Sequence, residues 1–76
     1  MKVFPNPSAG AFTVLLEEAA QVERISLYDA AGRLVHQLQS PTQSQVELEL
    51  PNAAPGMYFL HVQGVDWVEQ QRIVIQ

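Results

Sequence analysis

The chain has 76 residues, 47% of them hydrophobic and 16% charged, a composition that folds around one small core and excludes a disordered chain. Four basic residues stand against eight acidic ones for a net charge of -4, which argues against nucleic acid and anionic membrane surfaces as partners, since both are held by Lys and Arg. The absence of cysteine removes disulfide and thiolate chemistry, and no apolar run approaches the roughly 18 residues of a membrane span.

Hydrophobicity along the chain repeats with a period of two almost throughout. A first short strand is possible around Val3. Phe12, Val14 and Leu16 alternate with Ala11, Thr13, Leu15 and Glu17, the pattern of a half-buried strand. Residues 22 to 29 place Ile25 and Leu27 on one face and Arg24, Ser26 and Tyr28 on the other. Asp29-Ala30-Ala31-Gly32 then breaks the alternation, predicting a hairpin turn in which Gly32 supplies a positive φ. Leu34, His36 and Leu38 alternate with Arg33, Val35 and Gln37 in a third firm strand, which leaves through a polar loop at residues 40 to 44.

Residues 45 to 50 alternate most cleanly, with Val46, Leu48 and Leu50 on a buried face and Gln45, Glu47 and Glu49 facing water. Pro51 and Pro55, which lack amide donors, end that strand and reverse the chain before Gly56. Residues 57 to 63 are rich in aromatic and branched side chains, residues 64 to 67 read as a hairpin tip, and residues 68 to 76 form a closing strand. Leu15-Leu16-Glu17-Glu18-Ala19-Ala20 has helix propensity over about two turns, but falls short of the roughly 12 residues an isolated helix needs and has no N-cap outside the strand pattern. The expectation is an all-β, Ig-like antiparallel β-sandwich of about seven short strands, with residues 1 to 76 forming a single unit.

Catalytic chemistry finds little footing in these residues. His36 and His61 are the only side chains that ordinarily titrate near neutrality, and both fall mid-strand, where an imidazole bonded to a neighbour or to water is the simpler reading. Ser8, Ser40 and Ser44 lie outside any strained G-x-S-x-G turn. Zinc would need clustered Cys and His, and calcium would need clustered oxygen ligands; Asp29 and Asp66 are far apart, and Asp29 before a glycine turn is placed to accept from the turn's own amides. Glu47 and Glu49 share an outward face without an opposed carboxylate, so they read as a solvated face that discourages edge pairing. No cofactor, metal or catalytic residue is therefore expected. Trp67 at a loop tip, with Tyr28 or Tyr58, could stack on sugar rings, yet Tyr58 and Phe59 point to opposite faces and Trp67 folded over the sandwich end is the plainer arrangement.

Four blocks in order bring a family into view. Phe4-Pro5-Asn6-Pro7-Ser8-Ala9-Gly10-Ala11-Phe12 resembles the opening of the C-terminal sorting domains of the type IX (Por) secretion system of Bacteroidota: a hydrophobic residue, P-N-P, a small polar residue and G-x-F. Two prolines fix φ on either side of Asn6, and Gly10 permits the bend into the strand. Ile25 through Val35, with its Tyr28-Asp29-Ala30-Ala31-Gly32-Arg33 turn, resembles the family's Y-D-x-x-G-R hairpin and is the most specific match. Residues 50 to 62 are similar to L-x-x-L-x-x-G-x-Y-x-L-x-V, with Ala53 or Ala54 where a larger apolar residue is common, and residues 71 to 76 resemble the terminal strand. That strand is often Lys-rich in the family, whereas here Arg72 is its one basic residue and Gln76 ends it.

The resemblance implies a non-enzymatic address: a secretion and sorting signal that directs a covalently fused upstream passenger protein across the outer membrane, and that a sortase-like peptidase normally removes. It implies the outer-membrane type IX translocon and that peptidase as partners, and export by way of the periplasm to the outer membrane, cell surface or medium. The passenger is expected to precede Met1. The recognition candidates are Pro5, Asn6, Pro7, Gly10, Tyr28, Asp29, Gly32, Arg33, Gly56, Tyr58 and Arg72. Docking by the final strand's edge or by the rim around Arg33 and Arg72 is one expectation, with edge-strand self-association as another outcome of an open edge. The rival readings are a non-catalytic carbohydrate-binding or adhesion sandwich and an inert spacer domain.

Overall fold

The computed structural model describes residues 2–4, 10–17, 21–39, 43–50 and 53–76. Seven strands occur among them: β1 Lys2–Phe4, β2 Ala11–Leu15, β3 Val22–Asp29, β4 Leu34–Gln39, β5 Gln45–Glu49, β6 Gly56–Gly64 and β7 Val68–Ile75. They form two antiparallel sheets, ordered β1-β2-β5 and β4-β3-β6-β7. The period-two pattern is thus realised as the expected all-β sandwich, including the short strand around Val3. Pro5, Asn6 and Pro7, the loop at residues 40 to 42, the turn at residues 51 and 52, and the part of the helix-prone stretch from Glu18 to Ala20 lie outside the described residues.

The ladder of β2 and β5 shows how alternation becomes a half-buried sheet. Phe12 pairs with Leu48 and Val14 with Val46, while Thr13 pairs with Glu47 on the opposite face. Backbone bonds continue past both ends: the Leu16 amide donates to the Ser44 carbonyl at 2.7 Å and the Leu50 amide to the Gly10 carbonyl at 2.7 Å. Leu16 therefore stays in the core although it lies beyond the strand. Leu15, at the start of the helix-prone stretch, is strand.

In the wider sheet, Ile25 and Leu27 of β3 pair with Val62 and Leu60 of β6, and Ile73 and Ile75 of β7 join them in the core. Val14, Leu60, Val62 and Ile73 are completely buried, each worth about 1.5–3 kcal/mol of transfer free energy. β4 departs from its pattern. Leu34 is 52% exposed and His36 is exposed, and only Leu38 packs against the core. The strand lies at the edge of a four-stranded sheet that faces a three-stranded one, so less is available to cover it. Its register also shifts between Leu27 and Tyr28, bringing Leu34 opposite Tyr28, as a bulge does.

Candidate functional site

Asp29 ends β3 and organises the turn that follows. Its Oδ1 accepts from the Ala31 amide at 3.0 Å and the Arg33 amide at 2.9 Å, and its Oδ2 accepts from Arg33 Nε at 2.9 Å. The backbone closes the same loop, with the Gly32 amide donating to the Asp29 carbonyl at 3.0 Å and the Asp29 amide to the Arg33 carbonyl at 2.9 Å. A short carboxylate with two acceptor oxygens can hold both the turn and the arginine. Gly32 has φ 87°, a conformation that costs any residue with a Cβ. The bond from the Arg33 amide is the main reason the Asp29 carboxyl titrates below its ordinary value; desolvation opposes it, and the guanidinium and the Ala31 amide reinforce it. Arg33 itself remains 84% exposed along its side chain, so it is tethered at one nitrogen and presented to solvent.

The same end of the sandwich gathers the other described motif residues. Gly10 has φ 107°, and a Cβ there would meet the Leu50 carbonyl oxygen at 3.0 Å. Leu50 in turn accepts from the Ala53 amide at 3.1 Å. The hydroxyl of Tyr58, whose ring is buried, donates to the Ala54 carbonyl at 2.6 Å. Tyr58 also pairs with Asp29, and Gly56 pairs with Ile75. Blocks far apart in sequence thus converge through backbone bonds and strand register. Arg72 is exposed on β7 opposite Phe59, and Tyr28 is half-buried opposite the same residue on β3. Tyr28, Arg33 and Arg72 reach the surface; Tyr58 and Gly10 are buried and shape this end from within.

Sequence reasoning missed a feature of the adjoining outward sheet face. The rings of Tyr28 and His61 meet edge to face, with centroids 5.0 Å apart and planes at 67°. Beside them a shallow groove of about 180 Å³ runs from Gln70 past Phe59 and His61 to Tyr28 and the Asp29 turn. An available signal was that β6 carries Met57 and Phe59 at outward positions, where a solvated face would be polar. At the opposite end, Trp67 packs on the backbone of Gly64, whose amide donates to the Trp67 carbonyl at 2.8 Å. Its indole is half-buried against the core beside a recess of about 190 Å³, with Leu16, Glu17 and Glu69 among its walls. Trp67 is thus folded over the sandwich end. Among the described residues, no three His, Asp or Glu side chains gather as a metal centre would require, and no helix is long and apolar enough to cross a membrane.

The hairpin geometry, with its Tyr-Asp-x-x-Gly-Arg turn, sits within a whole-chain match: the family model for the secretion system C-terminal sorting domain matches residues 2–76. The chain belongs to that family. This sorting domain is a type IX secretion signal, so it serves export from the cell and interaction with the secretion machinery. The family is a sorting signal and is not known as catalytic. A search of curated proteins finds no match to the chain.

Proposed function

We propose that this sorting domain is read as a folded address for a passenger fused upstream of residue 1, with residues 1 to 76 acting as a single unit. The outer-membrane translocon recognises the end built by the Asp29 turn, and a sortase-like peptidase separates domain and passenger after translocation from the periplasm. The observation that carries this reading is the convergence at one end of Gly10, the Tyr28-to-Arg33 turn, Gly56 and Tyr58, residues contributed by separate blocks of the sequence. Of these, Arg33 is fixed yet exposed, which suits a contact that must be both oriented and accessible. Buried Tyr58 and the glycines define the shape of this end, Arg72 adds a cation on the neighbouring sheet face, and Pro5, Asn6 and Pro7 belong to the same proposal through their place before Gly10.

Fusing residues 1 to 76 behind a fluorescent reporter with an export signal tests the reading. The reporter is expected outside cells that possess the type IX outer-membrane pore and in the periplasm of cells that lack it. Periplasmic retention in both strains would overturn the address role.

A further inference from the structure

Although acidic residues outnumber basic ones by eight to four, they avoid one surface. From the row of Arg24 to the row of Met57, no outward position of β4, β3, β6 or β7 carries Asp or Glu. Arg24 and Arg72 stand on this face and Arg33 at its rim, separated by glutamines, Tyr28, Phe59 and His61. Among the described residues, carboxylates occur only at its borders: Glu23, at the register shift, shares a recess with Arg24, Gln39 and Gln63, and Asp29 at the opposite rim is paired with Arg33. The outward face of the other sheet, by contrast, carries Glu47 and Glu49. The face that bears Arg24 and Arg72 is also apolar at the end of the Asp29 turn: Leu34 is 52% exposed, Met57 41% and Val74 36%.

We propose that this face docks on a partner protein whose surface presents acidic side chains around one protruding apolar or aromatic residue. That residue seats in the groove between Phe59, His61, Tyr28 and the Asp29 turn, whose volume of about 180 Å³ suits a single side chain. The proposal rests on the address reading above and takes the partner to be part of the secretion machinery. Charge complementarity selects this occupant. A face bearing Arg24 and Arg72, with Arg33 at its rim balanced by Asp29, is less acidic than the rest of a protein of net charge -4, so an acidic surface is turned toward it, which orients the encounter. A second copy placed face to face would set Arg24 and Arg72 against the same arginines of the other copy. Aromatic residues, Met and Arg at outward strand positions that carry no Asp or Glu match the composition of protein interface cores.

The reporter fusion also tests this proposal, with wild-type export as the reference. Phe59→Glu and the double variant Met57→Glu with Arg24→Glu put negative charge on the face, and Glu47→Lys alters the opposite sheet. The two face variants are expected to lower export at least tenfold, whereas Glu47→Lys leaves it unchanged, with all purified domains giving the wild-type circular dichroism spectrum. Should Phe59→Glu fail to fold, the double variant decides, because Met57 is exposed and Arg24 lies on the outward face. Wild-type levels of export from the folded face variants would overturn the docking face and leave the address reading standing. Failure of the wild-type fusion itself would remove both. Sedimentation showing that the isolated chain dimerises, and that Phe59→Glu makes it monomeric, would reassign the face to a second copy and overturn the choice of partner.

Discussion

At one end of the sandwich the chain turns on Asp29, Gly32 and Gly10; at the other, Trp67 lies against Gly64. The first end is held by directional polar bonds, in which one carboxylate accepts three hydrogen bonds and leaves the Arg33 guanidinium in solvent. The second is closed by an aromatic ring on bare backbone, a contact that depends on volume. Polar closure fixes orientation while keeping side chains accessible, and apolar closure excludes water and hides them. The described family motifs that shape an end gather at the first, the end proposed above to be recognised, while Trp67 packs against the core.

Substitutions distinguish the two ends. Leu60→Ala, in the core shared by both ends, is expected to cost the most, about 2–5 kcal/mol in denaturant unfolding, through lost transfer energy and a cavity. It sets the scale for the rest. Gly64→Ala places a methyl group within the indole of Trp67, for an expected loss of about 1–3 kcal/mol and a red shift of the single tryptophan's emission as the ring moves into water. Unchanged emission would show that the ring does not depend on that contact. Gly32→Ala meets open space, so only its positive φ is at stake. It is expected to cost about 1–2 kcal/mol, with tryptophan emission unaffected because the turn lies at the far end.

The smallest expected effect is the dependence of the Asp29 turn on pH. The folded carboxyl titrates below its ordinary value, so the unfolded chain takes up a proton first as acid is added. The stabilisation is complete above the unfolded value of about 3.9 and is lost as pH falls through the lower folded value. Asp29→Asn keeps an Oδ1 acceptor for the turn amides but loses the ion pair with Arg33. The difference in melting temperature between wild type and this variant is expected to shrink on acidification from neutral pH. A constant difference across the whole range, including the region below pH about 3.9, would assign no role to the carboxylate charge.

Much of this was legible in the chain itself. Alternation in residues 45 to 50 depends on the two-residue repeat of the pleat, so it specified strand and buried face together; Val46 and Leu48 are in the core and Glu47 and Glu49 are exposed. The Asp29 turn was legible because its bonds are local, joining residues within four positions of one another. β4 was only half legible: the pattern of Leu34, His36 and Leu38 gave a strand, but their burial depended on how wide a sheet stood opposite. The candidate site divides in the same way, with Tyr28, Asp29, Gly32 and Arg33 readable as one motif and Phe59 and His61 hidden in another strand.

The all-β class, the main strand pattern, the local chemistry of the Asp29 turn and the resemblance to a sorting domain are written in the order of the residues, because each rests on periodicity or on neighbours a few positions apart. The packed fold decided that Gly10, Asp29 and Tyr58 share one end, that Tyr28 meets His61, and that the outward positions of four strands, from the Arg24 row to the Met57 row, carry no Asp or Glu. These features depend on strand order and register across long stretches of chain, and only the packing of the two sheets around a common core sets them.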